Sequence, residues 1–279
     1  MTVILKIMTD QNILVLKVGT STLAKNDARR GIVLDIDAFD RIAQQVLSLQ
    51  SEGYGIVIVS SAAITAGMSH TNTATRPSKV SQMSELQRMA SIGWRLILNT
   101  WAEAFAGKTI GELLITKREL DLTEERTELT GVIHQLLAHG DICIVNENDA
   151  ITHDEIAFGD NDTLAAHLAV RLKQSSSQNS DVKLLLLSDI EGVYADKTDA
   201  TTLIPIIKDI DAVRHVAKGA DTTYGTGGMT TKFLAARIAQ EAQVDTWIGK
   251  GKQEGIIDAL LNGTAGTHFV QEIASQEVL

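Results

Sequence analysis

The chain has 279 residues, with 25 lysines and arginines against 35 aspartates and glutamates, a formal net charge of −10. A composition of 44% hydrophobic and 22% charged residues suits a globular protein with a sizeable core, and excludes disorder and collagen-like repetition. The single cysteine, Cys143, excludes a disulfide scaffold and a Cys-based zinc site, and the acidic balance without a basic stretch argues against nucleic-acid binding.

The first run, Val3 to Met8, is apolar but interrupted by Lys6 and is followed by no cleavage site, so a cytoplasmic protein without a membrane segment is expected. Ile13 to Val18 reads as a buried strand broken only by Lys17 and ending at Gly19-Thr20-Ser21. Phe39, Ile42, Val46 and Leu49 then recur at helical spacing, with Asp35 or Asp37 as N-cap and Gly53 as the stop. Ile56 to Val59 is the next strand and closes on Ser60-Ser61. After a polar loop containing Pro77, the stretch from Ser81 to Ala106 reads as a long helix. Leu113 to Ile115 is a strand, Glu124 to His139 a helix stopped by Gly140, and Ile142 to Val145 a strand delivering Asn146-Glu147-Asn148-Asp149. Gly159-Asp160-Asn161-Asp162 opens a helix from Thr163 to Leu172.

The Ser-, Gln- and Asn-rich segment from Gln174 to Asp181 is the candidate boundary between a lobe spanning 1–173 and a second spanning 174–279. Val182 to Leu187 is the most apolar strand and ends at Ser188-Asp189. A return strand near Ile204 to Ile207 and a helix from Asp209 follow. The loop from Gly225 to Lys232 feeds a helix through Gln240. Strands at Val244 to Ile248 and Thr267 to Val270 bracket a last helix at Ile256 to Leu261. This alternation predicts an α/β protein with a mostly parallel sheet covered on both faces.

Ligands bind such sheets outside the carboxyl ends of the strands. The polar residues placed there are glycines, hydroxyls, amides, carboxylates and two lysines, a set that suits phosphate. Phosphoryl transfer needs N–H groups and cations around oxygens where charge shifts. Gly225-Thr226-Gly227-Gly228-Met229-Thr230-Thr231-Lys232 would supply a glycine-rich turn, a helix N-terminus and a lysine, and Lys17 a second cation. Each piece alone has a plainer reading. Gly-Thr-Gly-Gly is usually a flexible loop, Lys17 a strand-end residue snorkelling to solvent, and Gly159 to Asp162 a helix cap with a turn. Their shared position after strands is what favours a site. The G-x-x-x-x-G-K-[ST] pattern is absent, and Ser61 lacks the flanking glycines of a hydrolase nucleophile elbow.

Taken in order, Leu16 to Ser21, Val57 to Ser61, Val145 to Ala150, Phe158 to Asp162, Leu185 to Tyr194 and Gly225 to Lys232 resemble the amino acid kinase family. The resemblance implies a three-layer αβα sandwich and ATP-dependent phosphorylation of the side-chain carboxylate of L-glutamate, the first step toward proline. It also implies Mg²⁺ carried mainly on the ATP phosphates. By position, Lys17 would bind the ATP phosphates and Lys232 neutralise them, while Asp162 orders the lysines. Ser61, Asp149 and Asn161 would hold glutamate, with Asp149 on its ammonium. Ser188, Asp189 and Thr226, Gly227, Gly228, Met229, Thr230 and Thr231 would surround the nucleotide. Homo-oligomerisation and a downstream glutamyl phosphate reductase are further implications. Many members carry a C-terminal PUA domain, for which this chain ends too soon.

The departures fall in the substrate half. Ala62 stands where the family has Gly, Gly93-Trp94 replaces Gly-Gln, Ala157 stands at or next to the place where a lysine is common, and Thr127 to Gly131 reads unlike Leu-Asn-Ala-Arg. The alternatives are an acetylglutamate, aspartate, carbamate or UMP acceptor, or a catalytically weak regulator binding nucleotide or amino acid.

Overall fold

A computed structural model of the chain describes residues 10–28, 31–152, 160–196, 198–217 and 228–270. The apolar run β1 (Ile13–Val18) is wholly buried and is followed by a short helix α1 (Thr20–Leu23). A hairpin, β2 (Ala24–Asp27) and β3 (Gly31–Leu34), comes next; its polar first strand carries no alternating signal in the sequence. The amphipathic α2 (Ile36–Ser51) starts after Asp35 and leads to β4 (Gly55–Ser60). Two helices, α3 (Ala63–His70) and α4 (Met83–Ala104), precede β5 (Ile110–Ile115). Thr116 and Glu119 form a capping box on α5 (Lys117–Asp121). Helix α6 (Thr123–Ala138) ends at Gly140, whose φ of 71° only glycine adopts without cost, before β6 (Ile142–Glu147).

The second half opens with α7 (Asn161–Ser175), capped by Asp160, and continues into β7 (Val182–Ser188). The expected return strand is two short strands. β8 (Val193–Tyr194) pairs with β9 (Leu203–Ile204), whereas β10 (Ile206–Ile207) joins the main sheet. Pro205 lies between them and has no N–H to continue a ladder. Then follow α8 (Ile210–Ala217), α9 (Met229–Glu241), β11 (Asp245–Lys250), α10 (Ile256–Leu261) and β12 (Thr267–Phe269).

Eight strands form one sheet in the order β10-β12-β11-β7-β1-β4-β6-β5, and β11–β12 is its antiparallel pair. One face packs on α6, α7 and α9, the other on α2, α3, α4 and α10, giving the three layers that the alternation of elements predicts. Strand periodicity sorts the residues of β1. Ile13 and Val15 face α7 and α9, and Leu14, Leu16 and Val18 face the opposite layer. Lys17 shares the face of Ile13 and Val15, so the pleat aims it at α7 and α9. Among the described residues no helix is long and apolar enough to cross a membrane.

Candidate active site

The parallel strands β7, β1, β4 and β6 are neighbours and in register, so their carboxyl ends arrive at one rim. Lys17 is level with Val59 and Leu186, and Val59 with Val145. The chain leaves this rim at Gly19, Ser61, Asn148 and Asp189. Ser61 N still donates to Val18 O at 3.0 Å, and Gly19 N to Leu187 O at 3.1 Å. A Cβ at Gly19 would lie 3.3 Å from Lys17 Nζ, so a larger residue there would crowd the ammonium.

Helices α7 and α9 pack together and bring their first turns to the same place. Asp162 is fully buried and takes a lysine on each oxygen. Lys17 Nζ lies 2.6 Å from Oδ1, and Lys232 Nζ lies 3.2 Å from Oδ2. Thr231 Oγ1 donates to Oδ2 at 2.9 Å. Burial alone would push this carboxyl up, but the charges of Lys17 and Lys232 outweigh it and hold Asp162 down to about 2. Burial lowers the pKa of Lys232, with Asp162 opposing the shift. Two ammonium groups are thus fixed on one anion at the mouth of a helix dipole, a built receptor for migrating negative charge.

A second group of polar side chains lies beside this cluster. Asn161 Nδ2 is 3.0 Å from Ser61 Oγ, 2.9 Å from Asn146 Oδ1 and 3.3 Å from Ser60 O, so the helix start and two strand ends are tied by one amide. Ser60 is itself oriented by Trp101, whose Nε1 donates to Ser60 Oγ at 2.9 Å. Asp149 follows on the turn after β6. Burial pushes its pKa up to about 6, against the opposing charges of Arg76 and Lys79 and a hydrogen bond from Asn146. Asp160 is also raised by burial and is committed to Thr163, whose backbone N donates to Oδ1 at 2.8 Å.

The rim places Ser188 and Asp189 at the end of β7, where the Ser188 hydroxyl donates to Asp189 at 2.9 Å. Gly228 to Lys232 lie at the start of α9, with Thr230 exposed and the Met229 side chain turned into the core. Thr231, assigned by resemblance to the nucleotide, has its hydroxyl 2.9 Å from both Asp162 Oδ2 and Gly228 O, so it is shared between the carboxylate and its own helix. Thr226 and Gly227, with Ala157, lie outside the described residues.

Two departures take a physical form. Ala62, at the N-cap of α3, has φ 79° and ψ 6°, a left-handed conformation that costs a non-glycine residue about 1–2 kcal/mol. The strain sits next to Ser61. Trp94 is buried among α2, α3 and α4 and donates from Nε1 to Glu112 on β5, so it serves the packing of the edge strand. Two residues that sequence inspection passed over also belong to the rim, Trp101 as the partner of Ser60 and Arg76 as a charge acting on Asp149. Neither has a sequence signal, since both lie far along the chain from the groups they serve.

An α/β sheet whose strand ends set paired lysines on a buried aspartate, beside a rim of amides and hydroxyls, defines a phosphotransferase class of site. The chain belongs to the amino acid kinase family, whose model matches residues 12–250. A glutamate 5-kinase of Clostridium acetobutylicum is 37% identical over 273 residues, which is 95% of this chain and 97% of that protein. A glutamate 5-kinase of Vibrio vulnificus is 35% identical over 92% of this chain, which spans 66% of that longer protein. Among solved structures, an isopentenyl phosphate kinase has a TM-score of 0.61 at 16% identity, covering 93% of this chain and 100% of that one, a likeness of fold.

Proposed function

We propose that the chain transfers the terminal phosphoryl group of ATP to the side-chain carboxylate of L-glutamate, forming L-glutamyl 5-phosphate. The observation that carries this reading is the pair of lysines, Lys17 and Lys232, held on opposite oxygens of Asp162 beside the Ser61–Asn161–Asn146 cluster. The similarity to glutamate 5-kinases over nearly the whole chain supports the choice of acceptor. In this reading residues 1–173 hold the amino acid and 174–279 the nucleotide.

The acceptor needs no general base, because a side-chain carboxylate with a pKa of about 4.3 is already ionised at neutral pH. The obstacle is repulsion between that anion and the polyphosphate. Lys17 and Lys232 offset it, and Asp162 keeps both ammonium groups aimed and opposes the loss of the proton from buried Lys232. Backbone N–H groups in the first turn of α9 receive phosphate oxygens, and Ser188 and Asp189 lie along the nucleotide. Ser61 and Asn161 hold acceptor oxygens, and Asp149 takes the ammonium. Three carboxylates of the rim are already engaged, Asp162 by two lysines, Asp160 by Thr163 and Asp189 by Ser188, and Asp149 is assigned to the ammonium. That fits a magnesium ion that is held chiefly by the ATP phosphates and adds positive charge there. The acyl phosphate product is reactive, so the proposal includes a downstream reductase that consumes it; a cytoplasmic location and a homo-oligomeric assembly are proposed on the family resemblance alone.

Hydroxylamine traps acyl phosphates as hydroxamates. Mg-ATP and L-glutamate are expected to give ADP and hydroxamate in equal amounts, and Lys232→Ala to lower kcat by about 10²–10³-fold. ADP release without hydroxamate, or hydroxamate only with another acceptor, would refute glutamate as the substrate; the strained Ala62 beside Ser61 would then be the first place to look. A second expectation follows from Asp149. Its carboxyl, raised to about 6 by burial, binds an ammonium only when ionised. The KM for glutamate is therefore expected to be flat above pH 7 and to rise about tenfold by pH 5, with kcat changing less. Asp149→Asn should raise KM and abolish that pH dependence. A pH-independent KM in the parent enzyme would remove Asp149 from the ammonium site.

A further inference from the structure

Resting on the glutamate reading, we propose that Arg76, on the connection between α3 and α4, anchors the α-carboxylate of the acceptor and so selects α-amino acids. An α-amino acid presents an ammonium and a carboxylate on one carbon, with nitrogen and oxygen roughly 3 Å apart. A receptor for that head group needs one anion and one cation side by side. Asp149 is the anion. Arg76 and Lys79 are the cations whose charges act on it, and Asp149 in turn acts on Arg76.

The connection that carries Arg76 is anchored on its C-terminal side. Pro77 is buried in an otherwise exposed stretch, and the residue preceding a proline is confined to extended backbone, which fixes how Arg76 leaves the chain. The next residues form a closed turn. Gln82 N donates to Ser78 O at 2.8 Å, and Ser78 N to Gln82 Oε1 at 3.0 Å. Helix α4 follows at once and is tied to the Asp149 turn by Gln87 Nε2, which donates to Thr152 O at 3.3 Å. Thr152 Oγ1 donates in turn to Asn148 O at 2.7 Å. The arginine and the aspartate, 73 positions apart in the numbering, therefore sit on two segments joined by a short chain of hydrogen bonds.

The chemistry favours Arg76 over Lys79. A guanidinium offers a planar pair of N–H donors that matches a carboxylate bidentately, which an ammonium cannot do. Lys79 also has an interaction of its own. Arg76 is exposed at the rim, and among the described residues Asp149 is the charge that acts on it. Before the acceptor arrives, the two charges neutralise each other across the site. The zwitterionic head group then takes both, its ammonium on Asp149 and its carboxylate on Arg76. An amine without the second carboxylate leaves Arg76 nothing to bind.

The test compares L-glutamate with 4-aminobutyrate, which keeps the reacting carboxylate and the ammonium but lacks the α-carboxylate. Arg76→Gln is expected to raise the KM for glutamate about 10–100-fold, the loss of a charged bidentate contact, with kcat moving far less and the KM for ATP unchanged. Arg76→Lys should recover part of the loss. Read at about pH 8.5, where Asp149 stays ionised even without the opposing charge of Arg76, the constant for 4-aminobutyrate, as a substrate or as a competitive inhibitor of glutamate, should not respond to Arg76→Gln or Arg76→Lys. Thermal unfolding should not move, because the side chain is exposed. An unchanged glutamate KM, or a parallel loss for both compounds, would overturn the assignment while leaving glutamate as the acceptor. Absence of glutamate-dependent hydroxamate in the parent enzyme would overturn both.

Discussion

Asp162→Asn is expected to destabilise the fold by about 3–5 kcal/mol and to abolish phosphoryl transfer together, because one carboxylate serves both purposes. Removing its charge leaves Lys17 and Lys232, both buried, without the anion between them and with the more distant Asp160 and Asp189 still acting on them. They can respond by separating, by drawing in water or by losing a proton, and each response undoes the receptor for phosphate. Denaturant unfolding at pH 7 should show a lower midpoint with an unchanged slope. The pH dependence gives a sharper check. In the parent chain Asp162 is held at about 2, below its ordinary carboxylate value. Its stabilising contribution is fully present above about pH 4 and is lost as the pH falls toward 2. Asp162→Asn should lack that acid-side loss. It should instead gain stability from pH 7 to 10, as the lysine that burial already depresses, Lys232, gives up its proton more readily without the anion. A variant as stable as the parent at pH 7 would mean that the lysines do not depend on this carboxylate.

The sheet and the position of the rim were legible in the chain because they rest on patterns that span single elements. Ile13 to Val18 announces a buried strand, and the one lysine within it can be placed on a face by counting in twos. Lys232 could be placed in the first turn of its helix because a glycine-rich stretch, disfavoured inside a helix, directly precedes it, and Gly228 is the N-cap. The hairpin of β2 and β3 was not legible, since its first strand, Ala24–Asp27, is exposed at three of four residues and offers no alternation. Nor was the division of the return strand at Pro205, where one missing N–H separates two sheets.

Within the site, residue types at the strand ends could be collected from sequence, but their partners could not. That Asn161 bridges Ser61 and Asn146, that Trp101 holds Ser60, and that Thr231 turns to Asp162 are facts of three-dimensional proximity. Ala62 was visible only as a departure from a resemblance. Its backbone angle turns that departure into a cost, since a left-handed φ beside Ser61 is strain held in place by the crossing of α3 and α4.

That crossing makes Gly93→Ala a second substitution with a large expected effect on stability. Propensity alone predicts the opposite, because alanine is favoured over glycine inside a helix by about 1 kcal/mol. The geometry overrides it. A Cβ at Gly93 would lie 1.8 Å from Ala63 O and 2.5 Å from Gly67 N. From the other side, a Cβ at Gly67 would lie 2.0 Å from Met89 O. Both helices therefore run backbone against backbone, and the contacted atoms belong to main chain that cannot rotate away. The methyl must push α3 outward by more than an ångström, against a core where each buried side chain is already in contact. We expect a loss of about 3 kcal/mol or more, at the upper end of overpacking costs, and a melting temperature lower by roughly 6–12 °C. The displacement would also reach the chemistry, because α3 begins immediately after Ser61 and Ala62. Glutamate KM should rise in whatever fraction remains folded, while ATP affinity, which the proposed function assigns to Lys17, β7 and α9, should change little. If Gly93→Ala were instead stabilised by the propensity difference, the two helices would have to sit further apart than this packing allows, and the strain at Ala62 would lose its support.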